Sequence, residues 1–159
     1  MNYNINGMKI IIRDSVISDI KKYYRTAMVY ETGGILLGKF NRENRIIEIT
    51  EVYELKTHFF SKILYKRSTK KAQKIINSRW NETNGRINYI GEWHTHPNMQ
   101  PNPSITDLKS LEEINELVKN ILPSTILIII GKDEKVNLIV QNTNVIKMKL
   151  LTKEKCEEG

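Results

Sequence analysis

Two histidines, a serine and an aspartate crowd the stretch GEWHTHPNMQPNPSITDL, from Gly91 to Leu108. It holds two of the chain's three histidines and three of its four prolines. On a strand, residues two apart point to the same face, so the imidazoles of His94 and His96 converge. Two converging imidazoles are the first half of a zinc site. Pro97 ends such a strand, and Pro101 and Pro103 stiffen the loop that follows. Ser104 and Asp107 then arrive at the first turn of an expected helix. A carboxylate there can swing back and complete a His94, His96, Asp107 ligand set. Three protein ligands leave the fourth position to water, the arrangement of a catalytic rather than a structural zinc. Binding would lower the pKa of that water to about 7.

Taken alone, Ser104 and Asp107 read as a capping box, with Asp107 also favoured by the helix dipole. A lone His-x-His is more often local packing than a ligand pair. The joint pattern argues for metal: two same-face histidines, a turn-forming proline, a stiff loop and a carboxylate at a helix start. Amide hydrolysis at zinc also needs a general base near the water but not ligating it. Glu31, in YETGGILLG, is one candidate. Glu92 is the other, because residues 92, 94 and 96 share a face. The residues themselves do not separate the two.

The elements that must position these groups are readable in outline. MKIIIRD is a short buried strand. DSVISDIKKYYRTAM has helical spacing, with Asp14 or Ser15 as N-cap. TGGILLGKF and RIIEITEVYEL are strands joined by the turn NREN, an antiparallel hairpin. STKKAQKIINSRW is a second helix, capped by Ser68, with Ala72, Ile75, Ile76 and Trp80 on one face. NETNGR breaks it. INYIGEWHTH is a strand, with Trp93 facing the core opposite His94. SITDLKSLEEINELVKNI is a third helix with Leu108, Leu111, Ile114, Val118 and Ile121 along one side. STILIII, KVNLIVQ and VIKMKLL are further strands. Helices and strands mix without strict alternation. That favours an α+β fold, or a three-layer one around a mixed or mostly antiparallel sheet.

A chain of 159 residues is one domain with a real core. We expect it to span 1–150, with a polar tail at 151–159. One cysteine, Cys156, excludes a disulfide framework and fits a reducing cytoplasmic setting. Its polar surroundings, away from any histidine, argue against a catalytic thiol. The N-terminus lacks a signal-peptide pattern. The longest strongly apolar run, Ile126 to Ile130, is too short to span a bilayer. Net charge is +7 and uneven: residues 1–80 carry 16 Lys/Arg against 7 Asp/Glu, residues 81–159 carry 9 against 11. Most of the excess lies in 56–79, where Lys56, Lys62, Lys66, Arg67, Lys70, Lys71, Lys74 and Arg79 are expected to face no acidic residue. Such a surface can meet nucleic acid or an acidic protein, or simply be solvated. His58, within it, is assigned no role.

HTHPNMQPNPSITD, with an upstream glutamate in ETGGILLG, resembles the JAMM motif of the JAB/MPN metallopeptidases. The pattern is His-x-His-Pro, six residues, Ser, two residues, Asp. The resemblance runs from about Lys9 to about Val140. It implies a curved mixed sheet flanked by helices in a three-layer α-β-α arrangement, similar in outline to the zinc-dependent cytidine deaminases. Deaminase chemistry is disfavoured, since the chain lacks the Pro-Cys-x-x-Cys half of that site. The resemblance implies that His94, His96 and Asp107 ligate one Zn2+ with a catalytic water. It assigns general acid/base work to Glu31 and oxyanion stabilisation to Ser104.

Members of the family cleave peptide or isopeptide bonds after the C-terminal glycine of ubiquitin-like proteins. Strand addition along a sheet edge is the expected way to hold such a tail. ETGGILLG with GEWHTHP is similar to the bacterial stand-alone JAB peptidases of anti-phage (CBASS-type) operons, which remove a conjugated nucleotidyltransferase from its targets. The expected partner is therefore a ubiquitin-like protein or the C-terminal tail of a conjugated nucleotidyltransferase. A second enzymatic reading is trimming of a small sulfur-carrier protein. A third is a non-enzymatic, nucleic-acid-associated module of the same fold.

Overall fold

The computed structural model describes residues 1–5, 7–55, 62–142 and 146–151, with side chains throughout these except at 62–68. Cys156, His58 and the tail beyond Leu151 lie outside the described residues. In chain order the elements are β1 (Asn2–Ile5), β2 (Met8–Ile12), α1 (Asp14–Ala27), β3 (Gly33–Asn41) and β4 (Ile46–Glu54). There follow α2 (Lys62–Glu82), β5 (Asn88–Thr95), α3 (Ile105–Val118), β6 (Thr125–Ile130), a 3-10 turn (Lys132–Glu134), β7 (Val136–Gln141) and β8 (Ile146–Leu151).

The eight strands form one sheet in the order β1-β2-β4-β3-β5-β6-β7-β8. β2–β4 and β5–β6 are parallel and the other pairs antiparallel. Strand alternation divides the apolar residues between two faces. On one, Val16, Ile17 and Ile20 of α1 pack with Ile47, Ile126 and Ile128. Trp93, 1% exposed, lies on this face, stacked on Tyr23 with ring centroids 5.4 Å apart. On the other face, Leu111 of α3 packs on Leu127, Ile129 and Ile139. Ala72, Ile75 and Ile76 of α2 pack against Ile35, Leu37 and Ile87. The fold is therefore α+β, three layers deep, as expected. All six residues of β6 are buried, which requires apolar cover on both sides. Each fully buried isoleucine contributes about 1.5–3 kcal/mol, so this central strand is a firm base for its neighbour β5.

Three local readings need correction. The N-cap of α1 is Arg13, without a side-chain cap bond, not Asp14 or Ser15. Asp14 is instead the first-turn acid of the helix, and Arg13 turns away to pair with Glu48 at 2.9 Å. Ser68 does not cap α2, which begins six residues earlier. No Gly or Pro stands between Lys62 and Ser68, and Lys, Leu and Arg favour helix. Arg79 is not uncompensated: it pairs with Glu51 of β4 at 2.7 Å and Glu82 at 2.5 Å. Strand β1 was not anticipated; it folds back on β2 through Gly7 at φ +69.

Candidate metal centre

The site is assembled on β5 and the first turn of α3. β5 ends at Thr95, and Pro97 prevents its continuation. Trp93 and Thr95 face α1, so Glu92 and His94 face α2 and α3. The loop from Pro97 to Pro103 is fastened to the β6–β7 end of the sheet. Lys132 N–H donates to Met99 O at 2.6 Å, and Asn137 Nδ2 donates to Pro101 O at 2.9 Å. Gly131 allows this approach, because a Cβ there would stand 2.8 Å from Pro101 N. The loop therefore has little freedom, and it delivers α3 with its N-terminus towards the histidines.

Ser104 caps α3 in a full capping box. Its Oγ accepts from Asp107 N–H at 3.1 Å, and its own N–H donates to Asp107 Oδ2 at 2.8 Å. The cap thus also aims the Asp107 carboxylate. Its Oδ1 lies 3.4 Å from His94 Nε2, and its Oδ2 lies 3.3 Å from His96 Nε2. The two Nε2 atoms are 3.1 Å apart. Ligands about 2.0–2.1 Å from a tetrahedral zinc stand roughly 3.3 Å from one another. The 3.1 Å between the imidazole nitrogens is close to that spacing, each carboxylate oxygen faces one of them, and one ligand atom from each residue lies within 4.8 Å of the others, so the residues fit the metal. His96 is buried, and its Nδ1 lies 3.4 Å from Gln100 O. A proton held there and donated to the carbonyl leaves the Nε2 lone pair for a metal and fixes the ring's orientation. Partial burial pushes the Asp107 carboxyl up. The hydrogen bond and charge of His94, with the two Ser104 bonds, outweigh it and hold the group well below the usual range.

Of the sequence candidates, His94, His96, Asp107 and Ser104 come together. Gly33 pairs with His94 across the β3–β5 ladder. Beyond it Thr95 N–H donates to Thr32 O at 2.9 Å, and Thr32 N–H donates to Thr95 Oγ1 at 2.9 Å. Glu31, the next residue, lies just beyond the end of this pairing, ahead of the strand that neighbours the histidines, and it is exposed. Glu92 lies elsewhere, partly buried in a groove that starts at His94. Burial pushes its carboxyl up, against the opposing pull of His94 and Tyr89.

That groove holds about 480 Å³. Its floor includes Gly33, Ile35, Tyr89 and Glu92, and α2 contributes Ala72 and Ile76 to one wall. The other wall is α3 and the turn after it, including Leu117 and Ile121, which are 80% and 57% exposed. Sequence reasoning missed Leu117, which is off the core-facing stripe, and the crowding at Gly33. It also expected a tail to add to a sheet edge beside the site. Among the described strands the free edges are β1 and β8, whereas β5 is hydrogen-bonded on both sides. The groove runs over the sheet face from His94.

A three-layer domain with a His-x-His strand and a carboxylate at a helix start defines a class of metal-site domains. The chain belongs to the family described as prokaryotic homologs of the JAB domain, which it matches over residues 13–145. It is 28% identical over 125 residues to a CD-NTase/cGAS isopeptidase of Enterobacter hormaechei, covering 78% of this chain and 68% of that one. It is 32% identical over 103 residues to proteins of the same name from Pseudomonas aeruginosa and Escherichia coli. Those matches cover 65% and 64% of this chain and 64% and 65% of the relatives. The chain thus matches about two thirds of the length of these relatives. The solution structure of a Desulfitobacterium hafniense protein has the same fold, at TM-score 0.59 and 18% identity over 93% of this chain and 95% of that one. Among the described residues no helix is long and apolar enough to cross a membrane.

Proposed function

We propose that the protein is a zinc-dependent isopeptidase of the JAMM type. It cleaves after the C-terminal glycine or tail residue of a conjugated protein. The observation that carries this is the convergence of His94, His96 and Asp107, one ligand atom of each lying within 4.8 Å of the others. The substrate we favour is a conjugated nucleotidyltransferase of bacterial anti-phage signalling, which the names of the three relatives support.

His94, His96 and Asp107 would hold the zinc, which supplies Lewis acidity and a water acidic enough to attack near neutral pH. Glu31 takes the proton of the attacking water and passes it to the leaving amine. Its exposed place, two residues before the Gly33 that pairs with His94, supports that role. Ser104 Oγ already accepts from Asp107 N–H, so its own hydrogen is free to donate to the developing oxyanion. The groove from His94 takes the extended tail. Glu92 lies on the groove floor, two residues along β5 from His94, under the path of the tail, which favours Glu31 as the base.

The experiment is cleavage of a tail peptide joined to a lysine ε-amine by the zinc-loaded protein. Glu31→Gln should keep zinc and lose about 10²–10⁴-fold in turnover. Normal turnover in Glu31→Gln, with loss in Glu92→Gln, would transfer the role to Glu92.

A further inference from the structure

We infer that Glu92 is a specificity residue, which selects a tail carrying an arginine or lysine two or three residues before the scissile bond. The inference rests on the isopeptidase reading. In an isopeptide the leaving side is a branched lysine, whereas the acyl side is an extended C-terminal tail, so a long groove suits the acyl side.

The groove is apolar, yet one carboxylate sits in its floor. Among the described residues that line it, Glu92 is the sole acid, and no lysine or arginine lines it at all. Its hydrogen bond from Tyr89 Oη is 3.4 Å long, beyond the normal O–H···O range. A carboxylate held in apolar surroundings with so weak a partner is costly. A cation brought by the substrate removes that cost.

The spacing sets the position. Glu92 and His94 share a face of β5, two residues apart, which is about 6.6–6.8 Å along the strand. An extended tail advances at a similar rise per residue. With its scissile carbonyl at the histidines, the second or third residue back reaches Glu92. The exposed apolar side chains of Leu117 and Ile121 offer a surface for the aliphatic stem of a lysine or arginine, which keeps its charge at the polar end.

Bulk electrostatics points the other way. The chain carries +7, and Lys70, Lys71 and Lys74 lie exposed on α2. Charge steering alone would favour an acidic tail, so a preference for a basic residue at one position would trace to a local group.

The test uses fluorescein-labelled octapeptides ending in a free glycine, which are products and need no turnover. Arginine, citrulline, alanine and glutamate are scanned over the residues before that glycine. Binding to the zinc-loaded wild type is read by anisotropy. Arginine should bind about ten- to a hundredfold tighter than citrulline, at one position only. In Glu92→Gln that difference should vanish, with zinc content unchanged. Equal binding of arginine and citrulline peptides, or no binding by any, overturns the proposal. So does a preference that survives in Glu92→Gln. The arginine–citrulline comparison needs no variant, so a misfolded Glu92→Gln does not shield the idea. Failure of the wild type to cleave the lysine-linked peptides would instead count against the isopeptidase reading.

Discussion

Gly33 faces His94 across the β3–β5 ladder so closely that a Cβ on Gly33 would lie 2.9 Å from His94 Cβ and 2.5 Å from Trp93 O. Neither atom gives easily: the first is fixed by the His94 backbone, and the second is backbone of a strand paired on both sides. Gly33→Ala is expected to lose about 1–3 kcal/mol of stability, the ordinary cost of overpacking. The strain falls on His94, so zinc affinity should weaken as well. Denaturant unfolding and a competitive zinc chelator measure the two effects. Wild-type zinc affinity in Gly33→Ala would show that the ladder does not hold His94 in place.

Zinc should bind at about one ion per chain and raise the unfolding midpoint, because a ligand that binds only the folded state stabilises it. His94→Ala and Asp107→Ala should each abolish or greatly weaken binding, read by elemental analysis after dialysis. Asp107→Ala has a second consequence. It removes the carboxylate that accepts from Ser104 N–H at 2.8 Å, so its metal-free form should also be less stable than metal-free wild type. His94→Ala carries no such helix defect. Equal apo stabilities would mean that the Asp107 half of the capping box contributes nothing measurable.

Local signals made much of this molecule legible. The Ser104 cap, the Pro97 stop and the same-face pair His94 and His96 all depend on residues within a few positions of one another. Long-range features did not show. Glu31 and Glu92 could not be ranked from spacing, because the ranking depends on β3 pairing with β5 through Gly33 and His94. For the same reason spacing could not show that β5 itself offers no edge for strand addition, since β3 pairs on one side of it and β6 on the other. β1 is four residues long, too short for alternation to stand out. The start of α2 has no capping residue at Ser68 to announce it, since the helix passes straight through. The groove exists only where α2 and α3 stand side by side over the sheet.

The wall formed by α2 is tied to the sheet by charge, and this tie should depend on pH. Arg79 of α2 donates to both carboxylate oxygens of Glu51 on β4, and Tyr53 Oη donates to Glu51 at 2.7 Å. The Arg79 hydrogen bond holds the Glu51 carboxyl below its ordinary 4.5, against a smaller push from burial. Burial first, and then Glu51, push the Tyr53 phenol up to about 12. A depressed carboxyl contributes stability that is present above 4.5 and lost as pH falls through the folded value. A raised phenol contributes stability that is present below 10 and lost as pH rises towards 12. Denaturation midpoints should therefore fall on both sides of a plateau between about 5 and 10. Glu51→Gln should flatten the acid side. An acid slope unchanged in Glu51→Gln would place the titrating group elsewhere.

Ser104 has two proposed duties, and they can be separated. As a cap, its Oγ accepts from Asp107 N–H; as a catalytic donor, its hydrogen reaches the oxyanion. Ser104→Ala removes both, and should cost about 1 kcal/mol of stability besides any loss of turnover. Ser104→Gly removes the hydroxyl too, but glycine at an N-cap costs only a few tenths of a kcal/mol. The Ser104 N–H to Asp107 Oδ2 bond is backbone on the serine side and survives either change. Zinc content should therefore hold in Ser104→Gly. With stability and metal nearly unchanged, a fall of about 10²–10³-fold in turnover of the lysine-linked peptide is the expected mark of a lost oxyanion donor. Turnover within a few-fold of wild type would leave Ser104 as a helix cap alone.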